Sequence, residues 1–160
     1  MSVPTSTGDE LAGVVDLFDA LTRAELESAL GELAFKRGQE VDEEAIESAV
    51  AGAIEAYYLV AVDGENDTLL APGPVAFPTL PDGAEDLPHI MDVPDRNVDR
   101  AALVEAVERR LRADAAQAVS AADSERIEHL LDVSYDLETW GGTDVSDVRG
   151  RLDDALENRN

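Results

Sequence analysis

Residues 42–71 read DEEAIESAVAGAIEAYYLVAVDGENDTLLA, and the pattern of apolar residues changes in the middle of this stretch. In its first half the apolar residues recur at spacings of three and four, as on one face of a helix, and Asp42 stands where a helix N-cap is expected. Residues 57–62 then form an aromatic and β-branched run, which predicts a strand. Residues 63–67 are typical of a turn, so residues 68–71 can return as the partner strand. The stretch therefore predicts a helix followed by a β-hairpin.

Two further helices are predicted before this stretch. Apolar residues at helical spacing begin after Asp9, and Thr22 with Glu25 forms a capping-box pattern that opens a second helix. Gly38 follows two basic residues and is a suitable end for that helix. Three helices followed by a hairpin is the element order of a winged-helix domain. Residues 9–77 therefore resemble a winged-helix domain in the order of their elements.

The remainder of the chain is predicted to be a connector followed by helices. Residues 1–8 read as a polar tail, and residues 78–98 read as a Pro-rich connector, since six of the seven prolines lie between Pro72 and Pro94. Its large apolar residues indicate that part of the connector lies on a core. Residues 99–160 predict a helical region. The fold class is thus mainly α with a small β-hairpin, an α+β protein with a winged-helix-like N-terminal part and a helical C-terminal part.

Within the helical region the predicted boundaries rest on capping residues. Asp99 and Asp123 are expected to cap two long helices, and Ser146 or Asp144 to cap a final one. Tyr135 and Trp140 continue the apolar pattern and are predicted to be core or domain-contact residues.

The charge of the chain indicates adaptation to concentrated salt. The net charge is −24, from 36 acidic and 12 basic residues, and Lys36 is the one lysine. Such repulsion destabilises a compact chain unless salt shortens the Debye length, which is about 3 Å at 1 M. An acidic nucleic-acid mimic or a chaperone-like tail would carry its charge in blocks, whereas here the acids are spread through every segment. We therefore predict a halophilic protein.

The sequence favours the cytoplasm. Cysteine is absent, which excludes disulfides and thiolate metal sites. No apolar run approaches the roughly 18 residues of a membrane span. The N-terminal residues lack the basic and apolar regions of a signal peptide.

Four segments are similar to uncharacterised haloarchaeal protein families: Asp9–Phe18, Leu21–Leu26, Phe77–Pro81 and Leu130–Leu137. The resemblance extends over most of the chain. It implies no assigned activity, and so no functional residue can be transferred from it.

Catalytic and metal-binding patterns are weak. His129 lies at helical spacing from Glu125 and Asp132, but an exposed acidic helix gives the same pattern by chance. The Ser134-Tyr135-Asp136 segment lacks the glycines of a nucleophile elbow. There is no phosphate-binding loop or dinucleotide fingerprint. We therefore predict no enzymatic activity, no catalytic residue, no cofactor and no metal site.

Nucleic-acid binding through the third helix is disfavoured by its charge. In a winged-helix domain this helix enters the major groove, and phosphate contacts supply much of the affinity. Here it carries four acids and no base, and the turn of the hairpin is acidic as well: Glu43, Glu44, Glu47, Glu55, Asp63, Glu65 and Asp67. A protein is thus the more favoured partner, and neither the oligomeric state nor the partner can be read from the sequence.

The strongest candidate contact surface is a basic island on the long helix after Asp99. Arg109, Arg110 and Arg112 are the candidate partner-contact residues, since arginine binds carboxylate or phosphate with two donors. Arg109 is predicted to point outward, about 160° from the apolar stripe. The alternative is that Glu105–Arg109 and Glu108–Arg112 are i,i+4 pairs that only stabilise an exposed helix.

Together these patterns predict a halophilic, cytoplasmic, non-enzymatic interaction module or regulatory adaptor. The alternative is a winged-helix, nucleic-acid-binding transcriptional regulator.

Overall fold

The computed structural model describes residues 8–64 and 66–158, and within these ranges the chain contains seven α-helices and one two-stranded antiparallel sheet. This confirms the predicted fold class of a mainly helical α+β protein. The chain divides into two compact units, the first ending at Asp99 and the second beginning at Arg100. The polar tail predicted for residues 1–8 lies outside the described residues, apart from Gly8, which begins the first helix.

The first unit contains four helices and the hairpin. Their bounds are α1 Gly8–Leu17, α2 Arg23–Lys36, α3 Glu43–Glu55, β1 Leu59–Asp63, β2 Thr68–Pro72, a 3₁₀ turn Ala84–Asp86 and α4 Leu87–Ile90.

The predicted caps of α2 and α3 are confirmed. The Thr22 hydroxyl accepts from the Glu25 N–H at 3.1 Å, and the Glu25 carboxylate accepts from the Thr22 N–H at 2.8 Å, which is a complete capping box. The Asp42 carboxylate accepts from the Ala45 N–H at 3.2 Å. Gly38 has a φ of 68°, so it terminates α2 in the left-handed conformation that glycine adopts without strain.

The hairpin begins two residues later than the sequence predicts. Tyr57 is fully buried and has a φ of 69°, which ends α3 and excludes this residue from the strand. β1 then pairs with β2 in a register that runs from Leu59 opposite Pro72 to Asp63 opposite Thr68.

The connection between α1 and α2 also pairs with the hairpin. The Leu21 N–H donates to the Leu70 carbonyl at 3.2 Å, and the Leu70 N–H donates to the Leu21 carbonyl at 2.7 Å. β2 is therefore hydrogen-bonded on both sides, by β1 and by Leu21.

The core of the first unit includes part of the Pro-rich segment. Ala84 and Leu87 are fully buried in the same cluster as the inner faces of α1, α2 and α3. The segment also approaches α1 closely: a Cβ on Gly13 would lie 2.1 Å from the Thr79 carbonyl oxygen. The expectation that part of the Pro-rich segment lies on a core is confirmed, although Phe77 remains 80% exposed.

The second unit is formed by three helices that pack on one another, α5 Arg100–Ser120, α6 Ser124–Gly141 and α7 Ser146–Glu157. Asp123 caps α6, as predicted, by accepting from the Arg126 N–H at 3.2 Å. At α7 the prediction is only partly right. The N-cap position is occupied by Val145, and Asp144 accepts from the Ser146 N–H at 2.9 Å.

The aromatic residues of α6 do not form the centre of this unit. Tyr135 is 58% exposed, with the Arg149 guanidinium 4.3 Å from its ring centroid, so the prediction of a core position is wrong. Trp140 is half-buried under the Arg100 guanidinium, 4.0 Å from the ring centroid. Leucine, isoleucine and valine fill the core instead. Across the described ranges, no helix is both long enough and apolar enough to cross a membrane.

Candidate partner-contact surface

Basic residues are concentrated in the second unit. From Arg100 onward the chain holds eight of its 12 basic residues and 14 of its 36 acidic residues, which gives this unit a net charge of −6. The first unit consequently carries −18. A carboxylate-bearing partner therefore meets far less repulsion at the second unit.

The three predicted contact arginines lie on α5 with different environments. Arg109 is exposed, whereas Arg110 and Arg112 are half-buried. The stems of these two arginines flank the buried stripe of Leu103, Val107 and Leu111, as the helical period requires. We refer to Arg109, Arg110 and Arg112 as the Arg109 face.

Arg112 is tied to α7. It donates to the Asp147 carboxylate at 2.7 Å and lies 3.7 Å from Glu108, so the predicted Glu108–Arg112 pair is confirmed. The hydrogen bond that Arg112 donates to Asp147 raises the pKa of Arg112 and lowers the pKa of Asp147. Arg112 thus joins α5 to α7 by a hydrogen bond.

Arg110 belongs to a second link, between α5 and α6. Its guanidinium lies 3.4 Å from the Asp114 carboxylate, which also receives Arg126 of α6 at 3.3 Å. Asp114 thus links α5 to α6 through these two arginines.

Arg109 has no acidic group within ion-pair distance in the part of the chain that the structure describes. The predicted Glu105–Arg109 pair is absent, because the spacing of four residues permits this contact but does not fix two long, exposed side chains in it. The guanidinium of Arg109 is directed to solvent with its donors available.

A groove of about 430 Å³ runs between α5 and α7 beside this face. Alanines and valines line its floor, and Arg112, Arg151 and Asp154 stand at its edges. Sequence reasoning missed the groove, since its two walls are brought together only by the packing of α7 on α5.

The acids of α3 lie on its solvent-facing side. Glu43, Glu44, Glu47 and Glu55 are all exposed, and Asp63 and Asp67 of the hairpin are exposed as well. The exposed side of α3 is therefore negatively charged along its length and would repel nucleic-acid phosphate.

In the sequence, His129 lies at helical spacing from Glu125 and Asp132, a pattern considered for cation binding. Among the residues described, no group of three His, Asp or Glu side chains is arranged to hold a cation. On the same helix, burial and then the charge of Asp132 raise the pKa of Asp136.

Comparison with known proteins places the chain in a family. No curated protein and no solved structure matches it. A family model described as a family of unknown function, DUF7109, matches residues 9–157 and so includes nearly all of both units. The chain belongs to the DUF7109 family.

Proposed function

We propose that the protein is a non-enzymatic interaction module, a regulatory adaptor that binds an acidic partner protein through the Arg109 face. The observation that carries this proposal is Arg109 itself. It is an exposed cation that forms no ion pair in the described structure, in a chain where acids outnumber bases three to one.

The chemistry of arginine suits such a contact in concentrated salt. At about 1 M salt the Debye length is about 3 Å, so attraction between distant charges is lost. A guanidinium keeps its interaction because its donors form two parallel hydrogen bonds with one carboxylate at contact distance. Arg110 and Arg112, held by Asp114 and Asp147, extend the face along α5.

The proposal also includes the cellular environment of the protein. The charge of −24 with a single lysine supports a halophilic protein of haloarchaeal origin that works in the cytoplasm. In such a cytoplasm most proteins carry many surface carboxylates. The Arg109 face therefore selects its partner by the positions of the carboxylates that it binds, and not by charge alone.

A winged-helix, nucleic-acid-binding regulator is the second candidate. The element order α1-α2-α3-β1-β2 supports it, and so does the pairing of Leu21 with Leu70, an isolated bridge beside the hairpin. Against it stands the charge of α3, whose exposed residues would repel phosphate.

The test is a pull-down from native lysate in high KCl with the wild-type chain and the Arg109→Glu variant. The proposal expects the variant to lose the partner while keeping its melting temperature, since Arg109 makes no ion pair that folding would miss. Arg23→Glu is the matched control: it makes the same change in charge at another exposed helical position, in the first unit.

Two outcomes would contradict the adaptor function. Recovery of the same partners by Arg109→Glu and wild type would show that the Arg109 face is a solvated helix surface. Absence of any partner, together with turnover in a substrate panel, would instead indicate an enzyme. A gel shift that survives high KCl and is specific for sequence would favour the regulator.

A further inference from the structure

We propose that the face formed by α5 and α7, with the groove between them, packs against the same face of a second copy, so that the chain forms a two-fold symmetric homodimer. This dimer goes beyond the proposed function, because its contacts differ from those of Arg109.

The floor of the groove suits a close helix contact. Ala115, Ala116 and Ala155 offer small side chains that let two helices approach closely. Val119 is 40% exposed here, one of two large apolar side chains that the second unit exposes in its described part. Covering this floor with a second copy removes apolar surface from water.

α5 and α7 run in the same direction along the groove. Arg112, midway along α5, binds Asp147 in the first turn of α7. The far end of the groove is reached by Ser120, the last residue of α5, and by Asn158, just beyond α7. A two-fold axis in the interface plane, perpendicular to the helices, therefore places α5 antiparallel to α5 and α7 antiparallel to α7 of the second copy.

Charge complementarity selects a second copy over an acidic partner helix. Arg151 and Asp154 lie nearly one turn apart at the edge of the groove. An acidic helix would pair with Arg112 and Arg151 but would leave Asp154 against a like charge, whereas a second copy brings both an arginine and an aspartate. In the antiparallel pairing of α7 with its symmetry mate, Arg151 of each chain lies opposite Asp154 of the other, so two ion pairs form.

The existing partner of Arg151 does not prevent this contact. Its pair with Asp147 spans 3.4 Å, and the two side chains are 64% and 59% exposed. Exposed pairs of this kind contribute little, so Arg151 can turn toward the second copy at small cost.

The two-fold symmetry also identifies the residue at which a larger side chain should disturb the dimer most. When Arg151 faces Asp154, the axis passes beside Ala116 at the centre of the α5 wall. Ala116 is exposed in the single chain, so a larger side chain here leaves the fold intact but meets its own copy across the axis.

Sedimentation velocity of the full chain in about 2 M KCl tests the dimer over a wide range of protein concentration. We expect wild type to reach twice the chain mass of 17.1 kDa. Ala116→Trp should sediment as a monomer. Ala101→Trp, an exposed alanine in the first turn of α5 and outside the groove, should remain a dimer, and so should Arg109→Glu.

A charge exchange tests the pairing itself. Arg151→Asp and Asp154→Arg should each weaken dimerisation by about tenfold, because symmetry repeats each like-charge contact. The double variant should restore it. A wild-type chain that is monomeric throughout, a dimer that persists in Ala116→Trp, or a double variant no better than the single ones would overturn the proposal. Loss of partner binding in Arg109→Glu with the dimer intact would leave the adaptor function and the dimer separately established.

Discussion

Replacing Glu25 with glutamine should remove an ion pair while leaving the cap of α2 in place. The Glu25 carboxylate accepts from the Thr22 N–H at 2.8 Å and also receives both terminal nitrogens of Arg96, one of them at 3.1 Å. A glutamine oxygen can still accept from Thr22, as in other capping boxes. The charge that attracts Arg96 is lost.

The size of the effect follows from burial. The side chains of Glu25 and Arg96 are 23% and 16% exposed, so water screens the pair only in part. Hydrogen bonds to charged groups contribute about 1.5–3 kcal/mol, and discounting for the remaining exposure gives a loss of about 1–2 kcal/mol. For a chain of this length that lowers Tm by about 2–8 °C.

Thermal unfolding by circular dichroism at fixed high KCl is the assay. Glu27→Gln is the matched control on the same helix, because it breaks an exposed i,i+4 pair with Arg23 that should cost no more than about 0.5 kcal/mol. Equal melting temperatures for Glu25→Gln and Glu27→Gln would refute the reasoning from burial.

Three further predictions concern salt, pH and packing. The fold should lose stability as KCl is lowered from about 3 to 0.1 M, since the charge of −24 is then unscreened, and far-UV circular dichroism that shows equal stability at both ends would contradict this. The Arg96 hydrogen bond holds the pKa of Glu25 below its ordinary value of 4.5. The stability that this ion pair adds is therefore complete above pH 4.5 and is lost as pH falls through the lowered pKa. Denaturation at several pH values should show that the free energy of unfolding falls more steeply with acid in wild type than in Glu25→Gln. Gly13→Ala should destabilise the first unit by about 1–3 kcal/mol, because the new methyl group would overlap the Thr79 backbone, and urea denaturation with unchanged stability would rule out that close approach.

Features that depend on neighbours in sequence were predicted well. The capping box at Thr22 and the caps at Asp42 and Asp123 need only a side chain and the backbone three residues later. The exclusion of Tyr57 from the strand was not predicted, because it depends on residues that are distant in sequence. Its β propensity is overruled by tertiary packing, since its carbonyl lies against Gly73, where a Cβ would come within 2.2 Å of it.

In the candidate surface, too, local features could be predicted from the sequence and contacts between distant residues could not. The helical period of α5 was sufficient to predict that Arg109 points outward. The groove could not be predicted, because Arg112 and Asp147 are 35 residues apart and meet only when α7 packs on α5. The unequal charge of the two units was present in the sequence and becomes visible once the boundary at Arg100 is known.

The pairing of Leu21 with Leu70 bears on the order in which the chain can fold during synthesis. The two residues are 49 positions apart, and closing a loop of that length costs about 3.5 kcal/mol of chain entropy. Translation adds about 5–20 residues per second, so the newly made α1 and α2 wait several seconds before β2 leaves the ribosome. Until then the buried faces of these helices have no sheet to cover them.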